Sequence, residues 1–334
     1  MSTSGATAVS INNLVKKRLS TLLKIAVTLL GLWLAFQELD LQALGQTLLQ
    51  AHLGWLLSGL LLVSASMVLR AFRWSLLLQG LGIHVPFARL VELYFIGSFF
   101  NSFLPSGFGG DVVRVLEITR EIDLDVATGT VILDRLSGLI MLFVMALLLL
   151  PWRAAAIPIW LHWLIVGGTA VSLLIIALLL EHRLICRLGK WLPGPLSPVG
   201  SGLLAKVLKA VQACGLRAII SAFGVSILFN LMLASWWATT GRALDLQVPF
   251  SYYIFAVPIL SIALMAPSVG GLGVRELLAP TLFAAANVPN EQAVSLSLLV
   301  FALERLSGLF GAPLYLLAHW RHQRQPTETA ESQT

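Results

Sequence analysis

The chain of 334 residues is 57% apolar and only 11% charged, which excludes an ordinary soluble domain and describes a polytopic membrane protein. Its net charge of +6 calls for no nucleic-acid partner, because most basic residues flank apolar runs, as cytoplasmic loops do. Its two cysteines, Cys186 and Cys214, sit beside a basic loop and read as unpaired, with no spacing that would hold a metal.

In chain order, residues 1–18 are a basic cytoplasmic segment. Leu19 to Phe36 reads as a retained first span, since no small-residue cleavage site accompanies it. Further full spans are expected near residues 53–69, 126–150, 157–180, 218–240 and 294–318, six in all. Two other stretches, 90–113 and 252–286, have a different pattern: an apolar arm meets a Pro/Gly turn and a second arm follows. Leu41, Leu44 and Leu48 form a helical stripe, as do Leu203, Val207, Ala210 and Cys214, and both read as interfacial amphipathic helices. Residues 19–320 form one membrane domain, and 321–334 read as a disordered cytoplasmic tail.

Positive charge decides what the two odd stretches do. With Lys16, Lys17, Arg18 and Lys24 inside, the second span returns inside at Arg70, Arg73 and Arg89. If 90–113 crossed the membrane, Arg114, Arg120 and the basic loop 181–217 would lie outside. If each odd stretch enters and leaves on one face, 17 of the 22 Lys and Arg fall inside or at that interface, all but Arg135, Arg153, Arg242, Arg275 and Arg305. The predicted fold is an all-α polytopic membrane protein with six full transmembrane helices and two re-entrant hairpins. Both termini are placed on the cytoplasmic side of a cell's inner membrane.

The sequence also repeats itself. DRLSGL from Asp134 returns as ERLSGL from Glu304. Trp74 lies twelve residues before Pro86 of a Val85-Pro86-Phe87 triplet, and Trp237 lies twelve before Pro249 of Val248-Pro249-Phe250. Each triplet leads to a Gly-rich turn, PSGFGGDVVR from Pro105 and PSVGGLGVRE from Pro267. By parity, the first repeat (about 53–150) starts with a span running inward and the second (about 218–318) with one running outward, so the repeats are inverted. Hairpins meeting from opposite faces would cover each other's irregular backbone and create a site at mid-depth.

The candidate residues follow. Gly109, Gly110, Gly270 and Gly271 let backbone approach a ligand closely, and Asp111 reads as a helix N-cap beside N–H groups that favour an anion. The plainer account is a sharp hairpin with tight packing. Asp134, Arg135, Glu304 and Arg305 fall mid-span, where a charge costs about 3 kcal/mol on insertion scales. They are either salt bridges between the halves, or a site where Arg135 and Arg305 grip a lipid phosphate and the acids neutralise them between loads. Arg70 and Arg73 close the second span on one face; Arg73 reads as an interfacial anchor and the deeper Arg70 as a ligand residue. Arg114 and Arg275 follow the turns, as guides for an anionic headgroup or as anchors. Glu92 and Asn101 lie in the first arm, Asn101 as a helix-to-helix hydrogen bond. No catalytic motif occurs and no cofactor is implied.

RAFRW (Arg70 to Trp74), NSFLPSGFGGDVVR from Asn101, DRLSGL and GGLGVRE (Gly270 to Glu276), in this order, resemble the lysylphosphatidylglycerol synthase transmembrane, or flippase-like, family over about residues 20–320. In bifunctional members of that family such a domain moves aminoacylated phosphatidylglycerol to the outer leaflet, and a separate cytoplasmic domain adds the amino acid. A chain ending at Thr334 is expected to lack the synthetase part and to perform no lysyl transfer. Standalone members are linked to lipid or polyprenyl-carrier pathways, including hopanoid-related ones. The resemblance therefore implies a lipid translocase rather than an enzyme, acting on a membrane phospholipid or a polyprenyl- or hopanoid-type lipid. A separate lipid-modifying enzyme and a second copy of the chain are candidate partners. Asp134 and Glu304 are candidate proton carriers. The alternatives are an intramembrane lipid-modifying transferase or its partner subunit, a small-anion transporter, and an envelope assembly factor.

Overall fold

The structure is a computed structural model that describes residues 22–37, 39–103, 109–153, 158–180, 203–262 and 268–323. The expectations for residues 1–18, Cys186, the tail beyond Gln323 and the turn residues Pro105, Gly107 and Pro267 lie outside the described residues. Among the described residues all regular structure is helical. In chain order the helices are α1 (Leu22–Phe36), α2 (Leu41–Leu49), α3 (Leu53–Gly80), α4 (Phe87–Phe103), α5 (Gly109–Ile118) and α6 (Leu124–Arg153). They continue with α7 (Ile159–Leu180), α8 (Leu203–Ala243), α9 (Phe250–Ile262), α10 (Val274–Phe283), α11 (Asn290–Leu309) and α12 (Gly311–Gln323). Five spans are long and apolar enough to cross a membrane, with a sixth if α1 and α2, bent by 97°, count as one. The protein is an all-α polytopic membrane protein.

Local chemistry sets several helix starts. α4, α7, α9 and α11 each begin directly after a proline (Pro86, Pro158, Pro249 and Pro289). Proline has the φ that a first turn needs and lacks only an N–H that would be unpaired there. Asp40 caps α2, its Oδ1 accepting from the N–H groups of Gln42 (2.8 Å) and Ala43 (3.2 Å). The second span runs past its predicted end at residue 69 as far as Gly80. Arg70 and Arg73 therefore lie within the helix, about 15 and 10 Å from its end at 1.5 Å per residue, rather than closing it.

α3 and α8 are antiparallel neighbours, since Gly59 of α3 faces Trp236 and Thr240 of α8 while Gly80 faces Cys214 and Ala218. α8 is broken at Gly215, whose φ of 75° is left-handed. The segment before the break was expected at the membrane interface. Instead Val207, Ala210 and Cys214 are buried with Leu77 of α3 and Leu133 of α6, because its apolar stripe finds protein helices to cover. Cys214 is a free, buried thiol.

The two odd stretches are pairs of short helices, α4 with α5 and α9 with α10. Each pair is closed at its base. Arg89 at the start of α4 meets Glu121 (2.9 Å) and Glu117 (3.5 Å) at and beyond the end of α5, as well as Glu92 (3.1 Å). In the second pair the Tyr252 hydroxyl donates to the Leu282 carbonyl. The chain thus enters and leaves each pair at one end.

The pairs pack at opposite ends of the α3/α8 couple. The first is buried with Met67, Ala71, Trp74 and Leu78 near the end of α3 and with Ala127 and Val131 near the start of α6. The second is buried with Trp236, Trp237 and Leu244 near the end of α8 and with Ala146 and Leu150 near the end of α6. Meanwhile large apolar side chains such as Leu61, Leu148 and Trp163 are 62–72% exposed, and the buried described residues include five arginines and acids (Arg73, Arg114, Asp134, Arg275 and Glu276). That distribution suits a lipid-facing exterior.

Candidate functional site

The first centre is built on Asp134, ten residues into α6 and thus about 15 Å from its start. Its side chain is 1% exposed. Arg73 Nε donates to Oδ1 at 2.7 Å, Arg114 Nη2 stands 3.6 Å from Oδ2, and the Tyr94 hydroxyl donates to the same Oδ2. Arg73 also donates to the Ser226 hydroxyl of α8 at 3.0 Å. Burying a carboxylate at this depth requires such multiple pairing. Gly138, one turn on in α6, leaves room for the Arg73 guanidinium, since a Cβ there would stand 2.7 Å from Nη1.

The network continues through α5. Arg114 lies over the rings of Tyr94 (3.7 Å) and Trp74 (4.4 Å) and reaches Asp111 Oδ1 at 3.2 Å. The other oxygen of Asp111 pairs with Arg135. An alternating chain results, Arg73–Asp134–Arg114–Asp111–Arg135, across α3, α6 and α5. Arg70 lies alongside it, over Tyr94 (5.1 Å) and Phe229 (5.7 Å), with no acid within ion-pairing distance among the described residues.

Three expectations change here. Arg73 is no interfacial anchor: it is 3% exposed and holds Asp134, because α3 extends past it into the protein. Asp111 lies inside the first turn of α5 rather than at its N-cap, and its charge serves two arginines. Arg114 is likewise buried rather than interfacial.

The second centre repeats the first in part. Arg275 lies 5.7 Å from the Trp237 ring and 5.6 Å from Phe301, so the echoed Trp74/Arg114 and Trp237/Arg275 are both stacked pairs. Arg275 is buried too, donating to the hydroxyl (3.0 Å) and the carbonyl (3.1 Å) of Ser297. Its acid comes from a different place. Glu276, 0% exposed, stands 3.6 Å from Arg275 and accepts from the Ser297 hydroxyl (2.8 Å) and the Gly273 N–H (2.6 Å). Gly270, Gly271 and Gly273 all have φ between 62° and 86°, the left-handed region that side-chain-bearing residues avoid, and this is what the Gly-rich turn is for. Glu304, the motif counterpart of Asp134, is in no ion pair among the described residues.

Arg305 stands between the end of α4 and the second turn. Its Nη1 donates to the Asn101 carbonyl near the end of α4 at 2.9 Å. The guanidinium lies 4.5 Å from the Phe301 ring and against Gly270, where a Cβ would collide with it. Its Nε is buried and makes no hydrogen bond among the described residues. Asn101 joins the two systems, because its side-chain Oδ1 accepts the Gly110 N–H at 2.7 Å. The Gly110 N–H is therefore taken by protein and not left for an anion, and Gly109 and Gly110 are both buried in packing. Two further contacts dock α11 beside this point: Ser307 with Ser64 at 2.9 Å, and Gly308 against Ser98 and Ser102.

Sequence reasoning had the cations Arg70, Arg114, Arg135, Arg275 and Arg305. It missed Tyr94, whose hydroxyl and ring serve Asp134 and two arginines, and the buried role of Arg73. A tyrosine two turns before Asn101 inside an apolar arm was the available signal. Arg135 and Arg305 do not form one clamp, since the first is engaged by Asp111 and the second by Asn101. The two centres and their flanks hold six guanidiniums (Arg70, Arg73, Arg114, Arg135, Arg275 and Arg305) and four carboxylates (Asp111, Asp134, Glu276 and Glu304).

Comparison with known proteins agrees with the reading of the chain as a membrane protein. A UPF0104 membrane protein of Pyrococcus horikoshii is 26% identical over 316 residues, covering 85% of this chain and 92% of that protein. Residues 21–310 match the family described as the lysylphosphatidylglycerol synthase TM region. That match takes in both hairpins, both Trp–Arg pairs and Arg305, and the chain belongs to this family.

Proposed function

We propose that the protein moves a phosphate-bearing lipid, or a lipid-linked intermediate, between the two leaflets of a cell's inner membrane. The observation that carries this reading is Arg305. Among the described residues its guanidinium has no acidic partner, touches the end of α4 and the second turn, and keeps a buried Nε without a hydrogen bond. An arginine in that state is suited to a phosphate, which accepts charge-assisted, bidentate hydrogen bonds. Arg70, held by two aromatic rings without an acid, is a second such group. The headgroup would pass through the centre while its tails stay in lipid.

In this reading α4–α5 and α9–α10 are re-entrant from opposite faces, the two repeats are inverted, and both termini are cytoplasmic. Support comes from the closed base of each pair and from their packing at opposite ends of the antiparallel α3 and α8. In a variant without native cysteines, Asp123→Cys should react with an impermeant thiol reagent only from the cytoplasmic side, and Asn287→Cys only from the other. Labelling of both from one side would refute the inverted arrangement.

The chain itself makes or breaks no covalent bond in this reading. Movement is downhill or coupled to the proton or membrane potential. Glu304 suits proton carriage better than Asp134, which is held between two guanidiniums. In liposomes the protein should accelerate transbilayer movement of a labelled anionic lipid without uptake of inorganic phosphate. Arg305→Ala should slow that movement about tenfold or more, the worth of one hydrogen bond to a charged group, with the thermal unfolding midpoint nearly unchanged. Arg305→Lys should recover part of the rate. Wild-type rates in Arg305→Ala would remove this arginine from the site.

A further inference from the structure

We infer that the second Gly-rich turn is the phosphate subsite of this protein, with the Ser268 hydroxyl as a donor to the phosphate beside Arg305. The inference rests on the translocation reading and adds a ligand residue to it.

Ser268 is 4% exposed, and its Oγ makes no hydrogen bond among the described residues. Other serines of this bundle return the hydroxyl to a carbonyl one turn back in their own helix, as Ser64, Ser226, Ser261 and Ser295 do. Ser268 lies in a bend outside the helices and lacks that outlet. A hydroxyl buried in this way loses its hydration and receives nothing in exchange. Arg305 Nε is in the same condition, and both groups belong to one turn. The Arg305 guanidinium packs on Gly270, where a Cβ would collide with Nη2. Ser268 and Gly270 are two residues apart, so their Cα atoms lie within about 7 Å of each other.

The backbone here is also shaped for an anion. Gly270 and Gly271 have φ of 62° and 80°, and their N–H groups have no backbone acceptor among the described residues. Consecutive N–H groups in a turn that leads into a helix form a concavity favouring negative charge. The neighbouring Val269 N–H donates instead to Thr28 Oγ1 of α1 at 2.8 Å, which holds the turn in place. Of the acids nearby, Glu276 is held by Arg275 (3.6 Å) and the Ser297 hydroxyl (2.8 Å), and Glu304 leaves α11 about 100° around from Arg305. A phosphate, with several acceptor oxygens, can take a guanidinium, a hydroxyl and backbone N–H groups together. In the first turn the corresponding groups are occupied, the Gly110 N–H by Asn101 (2.7 Å) and Arg135 by Asp111.

The test titrates labelled phosphatidic acid onto the full chain in detergent, with inorganic phosphate as competitor, and follows the unfolding midpoint of the lipid-free protein. Ser268→Ala should weaken binding about tenfold or more, the worth of one hydrogen bond to a charged group. Its lipid-free midpoint should be equal to or above that of the unmodified protein, because an unbonded buried hydroxyl has been removed. Ser261→Ala, which deletes a hydroxyl bonded within its own helix, should leave binding unchanged. Displacement by inorganic phosphate would support the subsite and show that the phosphate group alone is recognised. Failure to displace, with Ser268→Ala still weakened, would support it for lipid-borne phosphate only. A buried water bridging the same groups predicts the opposite pattern, a lowered midpoint with unchanged binding. That result, or equal affinities of Ser268→Ala and Ser261→Ala, would overturn the subsite and leave translocation standing. Weakened binding in Ser268→Ala, with no acceleration of any lipid by the unmodified protein in liposomes, would instead keep the subsite and overturn translocation.

Discussion

Asp134→Asn is expected to cost about 3–5 kcal/mol of stability, the usual consequence of removing one partner from a buried ion pair. Asparagine keeps the shape of the side chain but leaves Arg73 and Arg114, both 3% exposed, facing each other without the carboxylate between them. Their like charges would then be uncompensated in a medium that screens poorly. The change should appear as a fall of at least about 6 °C in the midpoint followed by tryptophan fluorescence in detergent, taking roughly 2 °C per kcal/mol for a chain of this size. Replacing the pair together, Arg73→Met with Asp134→Leu, should cost less than Asp134→Asn alone, since the stranded charge is reduced. Glu304→Gln, at the equivalent position of the second motif, should leave the midpoint almost unmoved. A midpoint for Asp134→Asn as high as that of Glu304→Gln would show that the Asp134 network does not hold the helices together.

The second large effect concerns the backbone rather than charge. Gly110→Ala should destabilise the first hairpin by about 1–3 kcal/mol and slow lipid movement about as much as Arg305→Ala does. A Cβ at Gly110 would collide with the Gly97 carbonyl oxygen and stand 2.7 Å from the Asn101 side-chain amide. Neither leg can yield cheaply, because the first contact is backbone on backbone. Forcing the legs apart would also carry away the Asn101 carbonyl that receives Arg305, and this links a packing defect to transport. Gly224→Ala is the control, since open space surrounds that position. If Gly110→Ala were as silent as Gly224→Ala in both measurements, close contact of the legs would not be what holds the hairpin.

The features legible in the sequence were those set by local composition. Apolar runs located the spans, Pro86 and Pro249 marked where the short arms begin, and the glycines of the second turn anticipated its left-handed backbone. The Trp74 and Trp237 echoes were visible as a spacing, and each proves to be one half of a stacked Trp–Arg pair. The partners of buried charges were not legible. Arg73 and Asp134 are 61 residues apart, and an arginine near a presumed span end has the same signature whether it anchors to headgroups or fills a core. The error lay in the span end itself, placed eleven residues before Gly80, because two arginines in a row of apolar residues read as a boundary. Tyr94 was passed over for a related reason. A single tyrosine in an apolar arm is ordinary, and only the approach of α3, α5 and α6 turns its hydroxyl and ring into a shared partner. Asp111 and Glu276 show the same limit, since each follows a Gly-rich turn, yet one pairs outward to α6 and the other folds back to cap its own turn.

Two contacts tie α1, which lies outside the repeats, to the second turn. The Val269 N–H donates to the Thr28 hydroxyl at 2.8 Å, and Gly31 of α1 lies against the backbone of Gly273. Helix α1 is thereby bolted to the second turn. Any rearrangement that opens the centre on that side must drag a whole extra helix through lipid or break this joint. In mechanical terms the α9–α10 pair is tied to an additional helix at its turn, so it would meet more frictional drag in moving through lipid than the pair would alone.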